Sequence, residues 1–126
     1  MTPLAQRIYE KTNVLIRQKD DLHSQINKIK QSVDQDKKSI HTTELKIVAD
    51  GAMAHADGVP DLRLAGEIRD LGKHRKVLHD DERLLKDLTV KYNDLIKAID
   101  DHHFWMYRAD TNDLAKQQEA ERKIFG

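Results

Sequence analysis

The sequence predicts an all-α fold, an antiparallel coiled-coil helical hairpin with a short C-terminal helix. Apolar residues recur every seven positions in both halves of the chain, which keeps one stripe of each helix facing a partner helix. A break that contains Gly58 and Pro60 separates the two halves. The repeats consist of Leu64, Leu71, Leu78, Leu85, Tyr92, Ile99 and Met106 in the second half, and of two ladders offset by four, Ile8, Leu15, Leu22 and Ile29 with Ile26, Val33, Ile40 and Ile47, in the first half.

The first predicted helix covers residues 3–54. Thr2 is a favourable N-cap residue, and Pro3 suits the first helical position because its missing N–H has no partner there. Neither proline nor glycine occurs from Leu4 to Asp50. The segment Gly58-Val59-Pro60 ends the helix, so that a turn is expected at residues 55–60.

The second predicted helix covers residues 61–108, and a third helix follows it. The segment Asp110-Thr111-Asn112-Asp113 consists of residues that prefer caps and turns, and it should interrupt the helix. A short helix is expected from about Asp113 to Lys123. The hairpin therefore occupies residues 1–109, and a short C-terminal helix or tail occupies residues 110–126.

The two long helices should fold back on each other, because each has about 50 residues and would be roughly 75 Å long. The seven-residue spacing then places Leu22 near Tyr92. It also places Thr12 opposite His102. Near the turn, the same spacing places Arg75 close to Asp36, where a polar layer would specify register.

The open end of the hairpin predicts a homodimer that forms a four-helix bundle. Four large residues are consecutive from Phe104 to Tyr107, so they point all round the helix, and one partner helix cannot cover them. A second chain, or the C-terminal segment folded back, would cover the rest. The predicted oligomerisation residues are Ile8, Tyr9, Phe104, Trp105, Met106 and Tyr107.

The closed end, or tip, is rich in alanine and glycine from Ala49 to Gly72. Small side chains allow close approach, either of the two helices near their turn or of another molecule. Gly66 and Gly72 each cost about 1 kcal/mol relative to alanine inside a helix. The partner-binding residues that this composition suggests are Ala52, Met53, His55, Asp57, Val59 and Leu62.

A group of cations, here called the basic girdle, should lie just below the tip. Such a group can contact phosphates or an acidic protein surface. However, the chain has 22 basic and 22 acidic residues and a formal net charge of zero, which does not favour nucleic-acid binding. The girdle consists of Lys37, Lys38, Arg69, Lys73, Arg75 and Lys76.

Several function classes lack a signature in this sequence. Cysteine is absent, and the seven histidines do not give three convergent ligands at metal-binding spacing. No phosphate loop, nucleophile elbow or paired catalytic carboxylates occur, so we expect no enzyme, no cofactor and no metal. The N-terminal residues do not resemble a signal peptide, and no apolar run is long enough to span a membrane; a cytoplasmic protein is expected.

The sequence favours a non-enzymatic interaction protein that docks on, caps or inhibits another macromolecule, as an adaptor or regulator does. Another protein is the expected partner. One alternative is a nucleic-acid-binding protein that uses the basic girdle. A second alternative is a structural or scaffolding protein that assembles with itself through the aromatic end.

Overall fold

The computed structural model describes residues 1–53 in full, the backbone of residues 54–57, and residues 62–126. Three helices form in these ranges, α1 (Pro3–Asp57), α2 (Leu62–Ala109) and α3 (Leu114–Phe125). The described part of the chain contains no strand. Helices α1 and α2 pack against each other, which confirms the predicted all-α helical hairpin.

Helix α1 begins as the sequence predicts. The Thr2 hydroxyl oxygen accepts a hydrogen bond from the Ala5 amide at 3.2 Å, so it is the N-cap acceptor. The other end differs from the prediction, since α1 continues three residues beyond position 54 and α2 begins at Leu62. The predicted stop at Gly58-Val59-Pro60 lies outside the described residues.

The predicted interruption after α2 is confirmed. Residues 110–113 are not helical, and Asp113 is the N-cap of α3. Its carboxylate accepts hydrogen bonds from the amides of Ala115 at 3.0 Å and Lys116 at 3.4 Å. This bonding satisfies amides that have no partner in the first turn of a helix, and it sets where α3 begins.

The heptad ladders form the seam of the hairpin. Every ladder residue in both halves is buried or half-buried, and Ile8, Ile26, Val33 and Ile99 are fully buried. Two long helices can cover only a narrow stripe of each other, so the core is a line of side chains rather than a globular centre.

Two compact units can be distinguished. The terminal unit comprises Met1–Gln25 and Leu88–Gly126, and the tip unit comprises Ile26–Asp87. The terminal unit has a hydrophobic cluster to which all three helices contribute, and Met106 packs against it. The buried members of this cluster are Leu4, Ala5, Ile8, Trp105, Ala109, Ala120 and Ile124.

Helix α3 folds back onto α1 within the terminal unit. The Lys11 ammonium group donates a hydrogen bond to the carbonyl oxygen of Ile124 at 2.8 Å, near the C-terminus of α3. The Arg7 guanidinium lies 4.6 Å from the centre of the Phe125 ring, and Arg7 also approaches Glu121 at 3.6 Å. The C-terminal segment therefore supplies the cover that α2 alone could not provide for Trp105.

The polar layer in the terminal unit matches the prediction. Thr12 Oγ1 and His102 Nδ1 are 3.3 Å apart, and Thr12 is buried. The ring of Tyr92 lies beside that of His23, with centroids 6.1 Å apart, one position from the predicted neighbour Leu22. The seven-residue spacing thus predicts the register of the terminal unit to within one residue.

The predicted pairing of Asp36 with Arg75 in the tip unit is wrong. Arg75 Nη2 lies 3.3 Å from Glu44 Oε1, about two helical turns nearer the tip than Asp36. Because α1 runs to Asp57 rather than to residue 54, each residue of α2 near the tip faces a residue of α1 closer to the tip than predicted.

Asp36 lies instead beside the carboxyl group of Asp81. Hydrogen bonding to Asp81, burial and repulsion from the Asp81 charge raise the pKa of Asp36 from its ordinary value, and His74 opposes the shift. Asp36 Oδ2 is buried and has no donor among the described residues. Two ionised carboxylates are both acceptors, so a proton held by one of them gives the pair its hydrogen bond.

Candidate protein-interaction site

The tip residues predicted to bind a partner are exposed wherever their side chains are described. Met53 is 57% exposed and Leu62 is 86% exposed, and Ala52 is exposed as well. Val59 lies outside the described residues, as do the side chains of His55 and Asp57. Large apolar side chains at such exposure contribute little to the core of the hairpin and are open to contact from outside.

The glycines near the tip are not required by packing within the chain. A Cβ atom built on Gly51, Gly66 or Gly72 would have nothing within 4 Å. The interpretation that the hairpin needs these small side chains to close tightly is therefore wrong. Each glycine still lowers helix stability by about 1 kcal/mol relative to alanine. Close approach by another molecule is a reason for this cost that the fold does not supply.

All six residues of the basic girdle are exposed. Arg75 is engaged with Glu44, and side chains of this pair are 62% and 46% exposed. An ion pair so open to water contributes little to stability. The remaining cations of the girdle lie on the surface of the tip unit, where they can meet an anionic partner.

The prediction omitted several exposed apolar residues of the tip unit. Leu45 is 58% exposed, Val48 is 70% exposed and Ile68 is 55% exposed. A signal for them was present, since Leu45, Val48 and Ala52 follow one another at spacings of three and four, as on one face of a helix. None of them belongs to a heptad ladder, so the hairpin seam does not use this second apolar stripe.

The predicted oligomerisation residues at the aromatic end fall into two groups. Ile8 and Trp105 are buried within the chain, and Met106 is half-buried against the same cluster. Tyr9, Phe104 and Tyr107 are exposed, at 43%, 51% and 85%. Since α3 covers the first group, these three aromatic rings are the members that a second chain can contact.

The described residues give no chemical centre of another kind. Within residues 1–57 and 62–126, no three histidine, aspartate or glutamate side chains converge as ligands for a metal ion. In the same ranges, no helix combines the length and the apolar character needed to cross a membrane. The exposed apolar and basic residues of the tip unit are therefore the candidate site that the fold leaves open.

Comparison with other proteins gives no relative. The chain matches no protein-family model, no curated protein and no solved structure.

Proposed function

We propose that this protein is a non-enzymatic interaction protein that docks on, caps or inhibits another protein through its tip unit. The observation that carries the proposal is the exposure of large apolar side chains beside glycines for which the fold has no use. Met53 and Leu62 are more than half exposed, and Gly72 has open space where a side chain would be. Burial of such residues against a partner would be favourable by about 25 cal/mol per Å² of apolar surface.

The test is capture of partners from a cell lysate by the immobilised full chain. The tip variant carries Met53→Glu and Leu62→Glu, which place charges on exposed residues and should cost little stability. A matched control carries Val77→Glu, because Val77 is an exposed apolar residue of the same unit outside the tip, at 49%. We expect one stoichiometric protein to bind the wild type and the control and to be lost from the tip variant.

The result that would overturn the proposal is equal capture by the wild type and the tip variant. Circular dichroism of each variant distinguishes lost binding from lost folding. A partner that is lost only after Phe104→Ala and Tyr107→Ala would favour self-assembly or binding through the aromatic end.

The second candidate function is nucleic-acid binding, which the exposure of all girdle residues favours. Lys37, Lys38, Lys73 and Lys76 changed together to Glu test it, since phosphate contacts require the cations and weaken steeply with salt. Retention of nucleic acid by the wild type, with loss in this variant and in high salt, would establish the alternative. Salt-insensitive capture of a protein supports the first proposal instead.

A further inference from the structure

The ion pair between Arg75 and Glu44 identifies one side of the tip unit. It joins α2 to α1 at 3.3 Å, so both side chains lie on the side of the hairpin where this bridge crosses the seam. Residues three, four or seven positions away from either partner share its helix face. The ion pair thus allows residues on the two helices to be assigned to a common surface.

Two exposed apolar rows lie on this surface, one on each helix. Val48 is four residues after Glu44, and Ile68 is seven residues before Arg75. In each row the same spacing follows, with a residue three positions before and another four positions after. The surface, here called the Val48–Ile68 face, consists of Leu45, Val48 and Ala52 on α1 and of Ala65, Ile68 and Gly72 on α2.

Cations border the Val48–Ile68 face. Lys37 lies seven residues before Glu44, Lys76 lies four residues after Gly72, and all these cations are exposed. Arg69, also exposed, is four residues after Ala65 and belongs to the same border. By helical spacing, Glu44 is the acidic residue on this side of the described segments 37–52 and 62–76, and Arg75 already neutralises it. The border therefore carries an excess of positive charge.

We infer that the Val48–Ile68 face binds an amphipathic helix of a partner protein, one whose apolar stripe is flanked by aspartate and glutamate. This inference rests on the proposed function and names the kind of partner. Two packed helices form a groove along their side, and a third helix can lie in it with its apolar residues inward. Ala52, Ala65 and Gly72 have little or no side chain, which lets the backbone of that helix approach closely.

The charges specify which helix fits. Acidic residues beside the apolar stripe of the partner would meet Lys37, Arg69 and Lys76, and this complementarity selects partner and orientation. The face from position 37 to position 52 is about 22 Å long, which corresponds to a partner helix of about 15 residues.

Two other occupants fit the face less well. A second copy of this chain would bring the same excess of cations and would supply no acids to neutralise them. Nucleic acid would satisfy the cations but would leave exposed Val48 and Ile68 beside phosphates, where apolar side chains gain little. An acidic amphipathic helix satisfies both the apolar rows and the border.

The experiment is selection from a displayed library of 18-residue peptides against the full chain. Leucine is fixed at spacings of three and four, and all other positions vary. We expect the enriched peptides to have an excess of aspartate and glutamate and to become helical on binding. In a fluorescence anisotropy titration, the best labelled peptide should lose at least about tenfold in affinity with Val48→Glu. The pair Lys37→Glu with Lys76→Glu should have a similar effect that diminishes in high salt.

The matched control is Val77→Glu, which adds the same charge at an exposed valine outside the face and should leave affinity unchanged. Basic or uncharged enriched peptides would overturn the inference, as would equal binding to the Val48→Glu variant. A labelled single-stranded RNA that binds more tightly than every selected peptide would also overturn it. Peptides lost with Met53→Glu and Leu62→Glu but retained with Val48→Glu would overturn this inference alone, since the tip would still bind a protein.

Discussion

Thr12 and His102 form a hydrogen bond across the hairpin in which the histidine is the donor. The Thr12 hydroxyl has one hydrogen, which it donates to the Ile8 carbonyl oxygen at 2.7 Å. Its contact with His102 Nδ1 at 3.3 Å therefore requires the proton on Nδ1. Burial lowers the pKa of His102 from its ordinary value of 6.5, and the neighbouring Lys11 charge lowers it further. The ring is thus a neutral donor at pH 7.

We predict that this layer makes the protein less stable as the pH falls below about 6.5, the ordinary histidine pKa. Because the pKa of His102 is lower in the folded state, the unfolded chain takes up the proton first, and its free energy falls relative to the folded state. Urea unfolding between pH 8 and pH 5 measures the effect. His102→Asn keeps a donor near the Nδ1 position and should reduce the pH dependence, whereas His79→Gln, at an exposed histidine, should not.

The carboxyl pair in the tip unit predicts the opposite sign. The raised pKa of Asp36 means that the folded state holds the proton at a higher pH than the unfolded chain. The stabilisation is present at low pH and is lost as the pH rises from 3.8 through the raised pKa. Asp36→Asn gives Asp81 a permanent donor and should increase stability at pH 7 by about 1 kcal/mol.

The control for this prediction is Asp34→Asn, at an exposed aspartate two positions away, which should change stability by less than about 0.5 kcal/mol. Thermal unfolding at pH 7 and at pH 4 compares the two variants. A loss of stability in Asp36→Asn at pH 7 would mean that the carboxylate charge is favourable there.

Neighbouring aromatic residues of α2 should differ in their contribution to stability. Trp105 is 9% exposed and lies in the cluster with Ile8 and Ile124, so Trp105→Ala should cost about 3 kcal/mol or more. Phe104 is 51% exposed, and Phe104→Ala should cost less than about 1 kcal/mol. Denaturant unfolding measures both. Strong iodide quenching of Trp105 fluorescence in the native protein would contradict its burial under α3.

Replacement of helix glycines should stabilise the protein. A Cβ atom at Gly66 or Gly72 meets nothing within 4 Å, so Gly66→Ala and Gly72→Ala should each add about 0.5 to 1 kcal/mol. Gly72 belongs to the Val48–Ile68 face, and its alanine variant should also weaken binding of the acidic peptide. Gly66 lies outside that face and is the control. A peptide affinity unchanged by Gly72→Ala would show that the partner helix does not approach α2 closely.

We predict that the protein forms a homodimer through the exposed aromatic residues of the terminal unit. Phe104 and Tyr107 are three positions apart and share a face of α2, with exposures of 51% and 85%. Phe104→Ala with Tyr107→Glu should convert the dimer to a monomer without loss of helicity. Sedimentation velocity measures the change, and a wild type that remains monomeric at high concentration would contradict the prediction.

Tertiary structure alone decided the pairing in the tip unit and the cover of the open end. Composition did not indicate that α3 would return to α1, because the hydrogen bond from Lys11 to Ile124 joins positions 113 residues apart. The partner of Arg75 depended on where α1 ends, and a shift of a few residues at the turn moves every pair nearby. The acidic neighbour of Asp36 follows from the same shift.

The sequence by itself determined the hairpin, its seam and the break before α3. A seven-residue apolar repeat is a local property of each helix, and burial of that stripe requires a partner helix whatever the rest of the chain does. Asp110 to Asp113 likewise act on their own backbone, and so the start of α3 was predictable. Exposure is different, because a residue such as Val48 is free or buried only once every neighbour has been placed; the candidate site therefore emerged from the fold.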